Sequence, residues 1–121
     1  MNTSGHETIL VVDDEPALSA MLEDALGYYG YKILQANSAE QALNMIRSNH
    51  VDLIISDISM PGMDGFELYE QVRREFPQIK FQLVSGYNDN IDKNTVLHKK
   101  ILYKPFQNNE LFQRVRALLD T

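Results

Sequence analysis

The sequence has 121 residues, of which 44% are hydrophobic and 23% are charged, as in an ordinary globular domain. It has no cysteine, which excludes disulfide bonds and thiolate chemistry, and no apolar stretch approaches the roughly 20 residues of a membrane span. The formal net charge of −6 disfavours direct binding to nucleic-acid phosphates. We therefore expect one cytoplasmic domain over residues 1–121, with no membrane segment and no second domain.

Apolar runs alternate with segments of helical periodicity along the chain. The runs predict five strands, at residues 8–12, 31–36, 51–56, 80–84 and 100–103. Helical spacing of apolar residues predicts helices that begin at Pro16 and after Ser38, and others over 65–76 and 108–119. The segment 87–99 stands where a further helix is expected, but it is too polar to predict one firmly. Strands that alternate with helices indicate a parallel sheet covered on both faces.

Several residues indicate where the helices begin and end. Pro16 suits the first turn of a helix, and Gly30 is expected to end that helix. Ser38 with Gln41 three residues later has the spacing of a capping box. In the last helix we expect Asn108 to act as the N-terminal cap.

Polar side chains follow four of the predicted strands. The first, third, fourth and fifth strands are followed by Asp13 and Asp14, Asp57, Ser85, and Lys104, respectively. In open parallel sheets, functional groups gather beyond the C-terminal ends of the strands, where the strand order reverses. Right-handed crossovers bring those ends to one edge of the sheet. We therefore expect these five side chains to meet at one site.

Three carboxylates at one site repel one another. Either some of them bind protons, with raised pKa values, or a cation neutralises them. Oxygen ligands without histidine or cysteine favour Mg²⁺ or a similar divalent ion such as Mn²⁺. A carboxylate can also attack phosphorus to form an aspartyl phosphate, a reaction that needs a metal, a cation and a hydroxyl near the phosphoryl oxygens. Lys104 and Ser85 supply the cation and the hydroxyl.

Four motifs in order resemble the signatures of the response-regulator receiver domain of two-component signalling. They are VVDDEP (11–16), SDISMPGMDG (56–65), VSG (84–86) and YKPF (103–106). The resemblance spans about residues 7–119, almost the whole chain. It implies a flavodoxin-like α/β fold, in which a doubly wound, five-stranded parallel sheet has the strand order 2-1-3-4-5 and helices on both faces.

The resemblance also implies a role for each residue of the site. Asp57 would accept the phosphoryl group, and Ser85 and Lys104 stand at the positions of the family's hydroxyl and lysine. The ligands of Mg²⁺ (or Mn²⁺) would be Asp14, Asp57, Asp13 mostly through water, and Ser59 through its backbone carbonyl. The phosphoryl donor would be a sensor histidine kinase or a histidine phosphotransfer domain, and the receiver of the signal an output domain or protein. The chain would be a switch and not an enzyme.

Each residue of the site also has a purely structural interpretation. Asp13 and Asp14 are residue types that cap helices, and Asp57 could open the turn that follows it. Ser85 could be an ordinary hydroxyl at a strand end, and Lys104 a solvated surface lysine. The presence of all four motifs in order favours the functional interpretation.

Three other functions compete with the phosphorylation switch. A pseudo-receiver would bind protein partners without phosphate, and the complete set of acids argues against it. A phosphatase with an aspartyl nucleophile would carry a DxD motif and a capping insertion, and the sequence has neither. A flavodoxin would carry a phosphate-binding loop rich in serine and threonine after the first strand, where this chain has Asp13 and Asp14, which would repel the flavin phosphate.

The sequence departs from the family pattern near the last strand. Ile101 replaces the aromatic residue that the family carries three positions before the lysine, and Lys99 and Lys100 replace the usual acids. We therefore expect a monomer or weak dimer, and a changed output face around strands four and five, with the signal carried by residues 87–99. The resemblance also implies that Ser59 and Tyr87 would flank the path of the hydrolytic water. Ser59 has no acid or amide to orient that water and Tyr87 is large enough to screen it, so we predict slow loss of the phosphoryl group.

Overall fold

A computed structural model describes residues 7–86, 101–104 and 106–120 of the protein. Within them the strands are β1 (Thr8–Val12), β2 (Lys32–Ala36), β3 (Leu53–Asp57), β4 (Lys80–Ser85) and β5 (Ile101–Tyr103). The helices are α1 (Pro16–Gly27), α2 (Ala39–Ser48), α3 (Gly65–Glu75) and α4 (Asn108–Leu119). The predictions for residues 87–100, including Tyr87, Lys99 and Lys100, lie outside the described residues.

The strands form one parallel sheet in the order β2-β1-β3-β4-β5. This order confirms the predicted flavodoxin-like, doubly wound fold. The order reverses at β1, because β2 lies on one side of β1 and β3 on the other, with Val12 aligned to Ala36 and to Ser56. The switch point therefore lies between the C-terminal ends of β1 and β3, next to Asp13 and Asp57. Among the helices described, none has the length and apolar character needed to span a membrane.

The central strands are buried on both faces because helices cover both sides of the sheet. Alternate residues of β1 and β3 point to opposite sides, as the pleat of a strand requires. On one side Leu10, Val12 and Ile54 pack with α2 and α3 residues, namely Leu43, Ile46, Leu68 and Val72. On the other side Ile9, Val11 and Ile55 pack with α1 and α4 residues, namely Leu22, Leu26, Leu111 and Val115. Continuous apolar runs are the sequence pattern of such strands.

Three of the predicted helix ends can be compared with the structure. Helix α1 ends at Gly27, and Gly30 lies in the turn that follows, with a φ of 93° that suits glycine. Ser38 caps α2 as predicted, since its side chain accepts a hydrogen bond from Gln41 N at 3.1 Å. The prediction for Asn108 is wrong. Gln107 is the N-cap of α4, without a side-chain capping bond, and Asn108 is the first helical residue.

Candidate functional site

Asp57 is the last residue of β3 and lies between two neighbouring strands. Its strand is paired with β1 on one side and with β4 on the other, where Asp57 is aligned with Val84. The following residue continues this contact, because Ile58 N donates a hydrogen bond to Val84 O at 3.0 Å. The buried apolar part of β3 thus holds the Asp57 carboxylate at the edge of the sheet, where it is only 6% exposed.

The start of α3 packs directly against the backbone of Asp57. A Cβ atom at Gly65 would lie 2.4 Å from Asp57 O and 2.8 Å from Ile58 Cα, so the position requires glycine. Gly65 N also donates a hydrogen bond to Ile58 O at 2.9 Å. A capping box fixes this helix start, since the side chains of Asp64 and Glu67 each bind the other's backbone N–H. The loop that follows Asp57 is therefore held at both of its ends.

Asp13 follows β1 and is 2% exposed. Its backbone N donates a hydrogen bond to Ala36 O at 3.1 Å, which continues the pairing of β1 with β2. Its side-chain Oδ1 accepts a hydrogen bond from Glu15 N at 2.7 Å. The other oxygen, Oδ2, is buried and accepts no hydrogen bond from the residues that the structure describes. A buried carboxylate oxygen without a donor is a group that a bound cation would satisfy.

The surroundings of Asp13 raise its pKa to about 6. Burial away from water is the main cause, and the hydrogen bond from Glu15 N works against it. The charges of Asp57 and Asp14 raise the pKa further, whereas Lys104 lowers it. Repulsion among the acids was expected from the sequence. In the structure, it acts on Asp13 in the expected direction but less strongly than burial does.

Four carboxylates meet at this edge of the sheet. One oxygen from each of Asp13, Asp14, Glu15 and Asp57 lies within 4.8 Å of the others. Asp13 and Asp57 are buried, whereas Asp14 and Glu15 are exposed. The sequence predicted that the three aspartates would meet, but it did not single out Glu15. Its position directly after the two aspartates was the signal available in the sequence.

Lys104 also reaches Asp57, with 3.7 Å between Lys104 Nζ and Asp57 Oδ2. Its backbone N donates a hydrogen bond to Ser85 O at 2.8 Å, which ties the end of β5 to the end of β4. Ser85 is fully buried, and its hydroxyl donates to Gly86 O at 3.0 Å. Ser59 is exposed in the loop between β3 and α3. The structure thus brings Lys104 to the aspartates, with Ser85 on the strand next to Asp57.

A polar cleft of about 310 Å³ opens beside the acids. Asp13 and Asp14 line it together with Gln35, Asn37 and Gln41, so the cleft runs between the loops that follow β1 and β2. A larger cavity of about 670 Å³ lies beside the first half of β4, between α3 and α4, and none of the candidate residues lines it. The smaller cleft is the one relevant to the site, because the buried Asp13 and the exposed Asp14 both line it.

Comparison with known proteins shows the family of this chain. The response regulator receiver domain family matches residues 9–116. The chain is 37% identical over 116 residues to the response regulator GtcR of Aneurinibacillus migulanus, an alignment that covers 93% of this chain and 48% of GtcR. It is 33% identical over 115 residues to the probable transcriptional regulator ycf27 of Porphyridium aerugineum, with 93% of this chain and 48% of that protein covered.

A solved structure extends the comparison to the fold. The response regulator TrrA of Thermotoga maritima, in complex with Mg²⁺–BeF, matches with a TM-score of 0.83 and 34% sequence identity, covering 94% of this chain and 100% of that chain. The chain spans about half the length of the curated relatives it matches. The match over residues 9–116, together with the strand order, shows that the chain belongs to the response regulator receiver domain family of two-component signalling.

Proposed function

We propose that this chain is a phosphorylation-controlled switch in which Asp57 accepts a phosphoryl group from the phosphohistidine of a sensor histidine kinase or a histidine phosphotransfer domain. The observation that carries the proposal is the environment of Asp57. Its carboxylate is 6% exposed, lies within 4.8 Å of three other acids, and has Lys104 Nζ at 3.7 Å. Buried acids without matching positive charge lower stability, and such groups are typical of functional sites.

The reaction needs few groups besides the nucleophile. An oxygen of the Asp57 carboxylate would form a bond to phosphorus while the bond from phosphorus to the imidazole nitrogen of the donor breaks. The imidazole keeps the electron pair of that bond and takes up a proton. Lys104 would pair with one phosphoryl oxygen in place of the carboxylate, and the Ser85 hydroxyl would donate a hydrogen bond to another.

The residues present fit a divalent cation. Asp13, Asp14, Asp57 and the backbone carbonyl of Ser59 would hold Mg²⁺ or Mn²⁺, because hard cations prefer oxygen ligands. The buried Oδ2 of Asp13 supports this proposal, since it accepts no hydrogen bond within the described part of the chain. When bound, the cation would neutralise charge on the phosphoryl oxygens.

Output is proposed to pass through the surface around β4 and β5 and the segment that joins them. The family interacts with histidine kinases and output domains, and we propose a separate output domain or protein for this chain, with no direct nucleic-acid contact by the receiver. In this proposal residues 1–121 act as a single cytoplasmic receiver unit with a core of about 7–119. It would be a monomer or a weak dimer that catalyses nothing beyond its own phosphorylation and slow dephosphorylation.

The proposal can be tested with a small phosphodonor. In the presence of MgCl₂, acetyl phosphate should add the mass of one phosphoryl group to the wild-type protein, measured by intact-mass spectrometry. Asp57→Asn should remove the modification, since the amide is a poor nucleophile. Asp24→Asn is the matched control, because Asp24 is an exposed aspartate on α1 outside the acidic cluster, and it should be labelled like the wild type.

Two results would overturn the assignment. One is modification of Asp57→Asn to the wild-type extent, and the other is labelling that an excess of chelator leaves unchanged. A wild-type protein that takes up no phosphoryl group from acetyl phosphate with MgCl₂ would instead favour the phosphate-independent pseudo-receiver.

A further inference from the structure

We infer that Glu15 is part of the divalent-cation site, as a fourth carboxylate that binds the ion through its hydration shell on the exposed side of the site. The inference rests on the proposed function, from which it takes the cation. It adds Glu15 to the ligands already proposed, which are the three aspartates and the backbone carbonyl of Ser59.

The geometry of the cluster fits one ion and its water. An oxygen of Glu15 lies within 4.8 Å of an oxygen from each of Asp13, Asp14 and Asp57. Oxygens on opposite sides of a Mg²⁺ ion are separated by roughly 4 Å, because each lies about 2.1 Å from the metal. Magnesium also keeps several waters when bound to protein. An exposed carboxylate at this range is therefore well placed to accept a hydrogen bond from such a water.

The ordinary structural roles of a residue at this position do not explain Glu15. It is the N-cap of α1, but its side chain makes no capping hydrogen bond. Glutamate is also not among the residue types preferred as N-caps. No ion pair within the described part of the chain includes Glu15. Its side chain is therefore available for the cluster.

The state of Asp13 is an independent observation that points to a cation. Asp13 Oδ2 is buried and accepts no hydrogen bond from the described residues. Glu15 N already binds the other oxygen of the same carboxylate, at 2.7 Å. The backbone of Glu15 thus orients Asp13, and the Glu15 side chain adds negative charge to the same cluster. Lys104 Nζ lies 3.7 Å from Asp57 Oδ2, and Glu15 adds a fourth acid to the cluster that this lysine faces.

Calorimetric titration of the cation-free protein with MgCl₂ tests the inference directly. Glu15→Gln removes one negative charge and keeps the size of the side chain. We expect it to weaken Mg²⁺ binding about 3- to 10-fold, near the lower end of the roughly 10- to 100-fold typical of outer-sphere partners, because Glu15 is exposed. Glu15→Asp, which keeps the charge on a shorter side chain, should give an intermediate affinity.

The matched control is Glu23→Gln. Glu23 is exposed on the same helix and accepts a hydrogen bond from Gln35 Nε2, outside the acidic cluster, so this variant should bind Mg²⁺ like the wild type. The increase in melting temperature on adding MgCl₂ gives a second readout, and it should be smaller for Glu15→Gln than for Glu23→Gln.

The possible failures can be distinguished. Equal Mg²⁺ affinity for Glu15→Gln and Glu23→Gln would overturn the role of Glu15 and leave the proposed function intact. A wild-type protein without measurable Mg²⁺ binding would overturn the role of Glu15 together with the proposed cation site. Circular dichroism of each variant shows whether a loss of binding reflects unfolding, in which case the Glu15→Asp affinity decides.

Discussion

The two ends of the sheet both bury charged side chains, but they compensate them differently. Beyond the N-terminal ends of β1 and β2, Arg116 of α4 donates hydrogen bonds to Glu7 Oε2 and to Tyr31 Oη, both at 3.1 Å, and it also contacts Asp120. At the C-terminal ends, Asp13 and Asp57 are buried in a cluster of four acids. At the N-terminal ends, the carboxylate of Glu7 thus has a guanidinium as its direct partner, although Glu7 Oε1, like Asp13 Oδ2, accepts no hydrogen bond from the described residues. The two ends therefore differ in the number of acids that meet, and not in whether every buried oxygen has a donor.

The pKa shifts of Arg116 and Asp13 also differ between the two ends of the sheet. The hydrogen bond to Tyr31 is the main cause that raises the pKa of Arg116, so the guanidinium stays charged. At the other end, burial raises the pKa of Asp13 to about 6 and thus disfavours the charged form. The partners of Arg116 thus favour its charged form, whereas burial disfavours the charged form of Asp13, as is common at functional sites.

Removing Arg116 should give the largest change in stability. Arg116→Met would leave the carboxylate of Glu7 buried without its cation, and the side chains of this pair are 17% and 16% exposed. Breaking such a pair typically costs 3–5 kcal/mol when it is fully buried. We expect a loss of about 3 kcal/mol in the free energy of unfolding, measured by urea denaturation with EDTA present.

An exposed ion pair provides the control for this change. Arg73→Met breaks the contact with Glu70 on α3, where the arginine side chain is 59% exposed. Exposed pairs contribute about 0–1 kcal/mol, so the loss of stability should be correspondingly small. If both variants lost the same free energy of unfolding, the contrast between the two ends would be contradicted.

The sequence predicted the central strands β1 and β3 well because they are buried along their whole length. A parallel strand that is covered on both faces must be apolar along its length, so the run that ends at Asp57 was visible without a structure. The meeting of Asp13, Asp57 and Lys104 followed from the same logic, since parallel strands place their C-terminal ends on one edge. The helix ends were less predictable. Gln41 Oε1 accepts its hydrogen bond from Asn37 N and not from Ser38 N, although the spacing fits a capping box.

Contacts between distant parts of the chain were outside the reach of sequence patterns. Arg116 and Glu7 are 109 residues apart, and neither residue has a local pattern that indicates the other. The close packing of Gly65 on Asp57 depends on where α3 meets the sheet. The degree to which Asp13 is buried also depends on the packed structure, and burial is the main cause of its raised pKa.

A steric change at the C-terminal ends of the strands, where the four acids meet, should destabilise the protein although it alters no charge. Gly65→Ala would place a Cβ 2.4 Å from Asp57 O, so either the start of α3 or the end of β3 must move. Overpacking of this kind costs about 1–3 kcal/mol, and we expect about 2 kcal/mol by urea denaturation. Because the movement displaces Asp57, labelling by acetyl phosphate should also slow.

Gly27→Ala is the control for the added methyl group. No atom lies within 4 Å of a Cβ built at Gly27, which is the last residue of α1. Alanine in a helix should leave stability unchanged or raise it by up to about 1 kcal/mol. Equal destabilisation by the two substitutions would show that the contact between Gly65 and Asp57 is not a tight one.

Neutralising Asp13, at the same end of the strands, should raise the free energy of unfolding. We expect this change to be smaller than the two losses of stability predicted above. The pKa of Asp13 is raised from 3.8 to about 6, so between these pH values the folded state binds more protons than the unfolded state. This contribution to stability is fully present below pH 3.8 and is lost as the pH rises through about 6. Without divalent cations, the wild type should therefore become less stable as the pH rises from 4.5 to 7.

Asp13→Asn should flatten this pH dependence and make the cation-free protein more stable at pH 7.5. A raised pKa of this size means that the charged Asp13 lowers the free energy of unfolding at pH 7.5 by about 3 kcal/mol. The asparagine amide is itself a buried polar group, so we expect Asp13→Asn to raise the free energy of unfolding by a net of about 1 kcal/mol. Urea denaturation in EDTA across the pH range measures the effect, with Asp24→Asn as the control for the loss of one charge. If Asp13→Asn kept the slope of the wild type, the buried carboxylate would not be the source of the instability. If MgCl₂ stabilised Asp13→Asn as strongly as it does the wild type, a cation bound at Asp13 would not be what compensates the negative charge of the four acids.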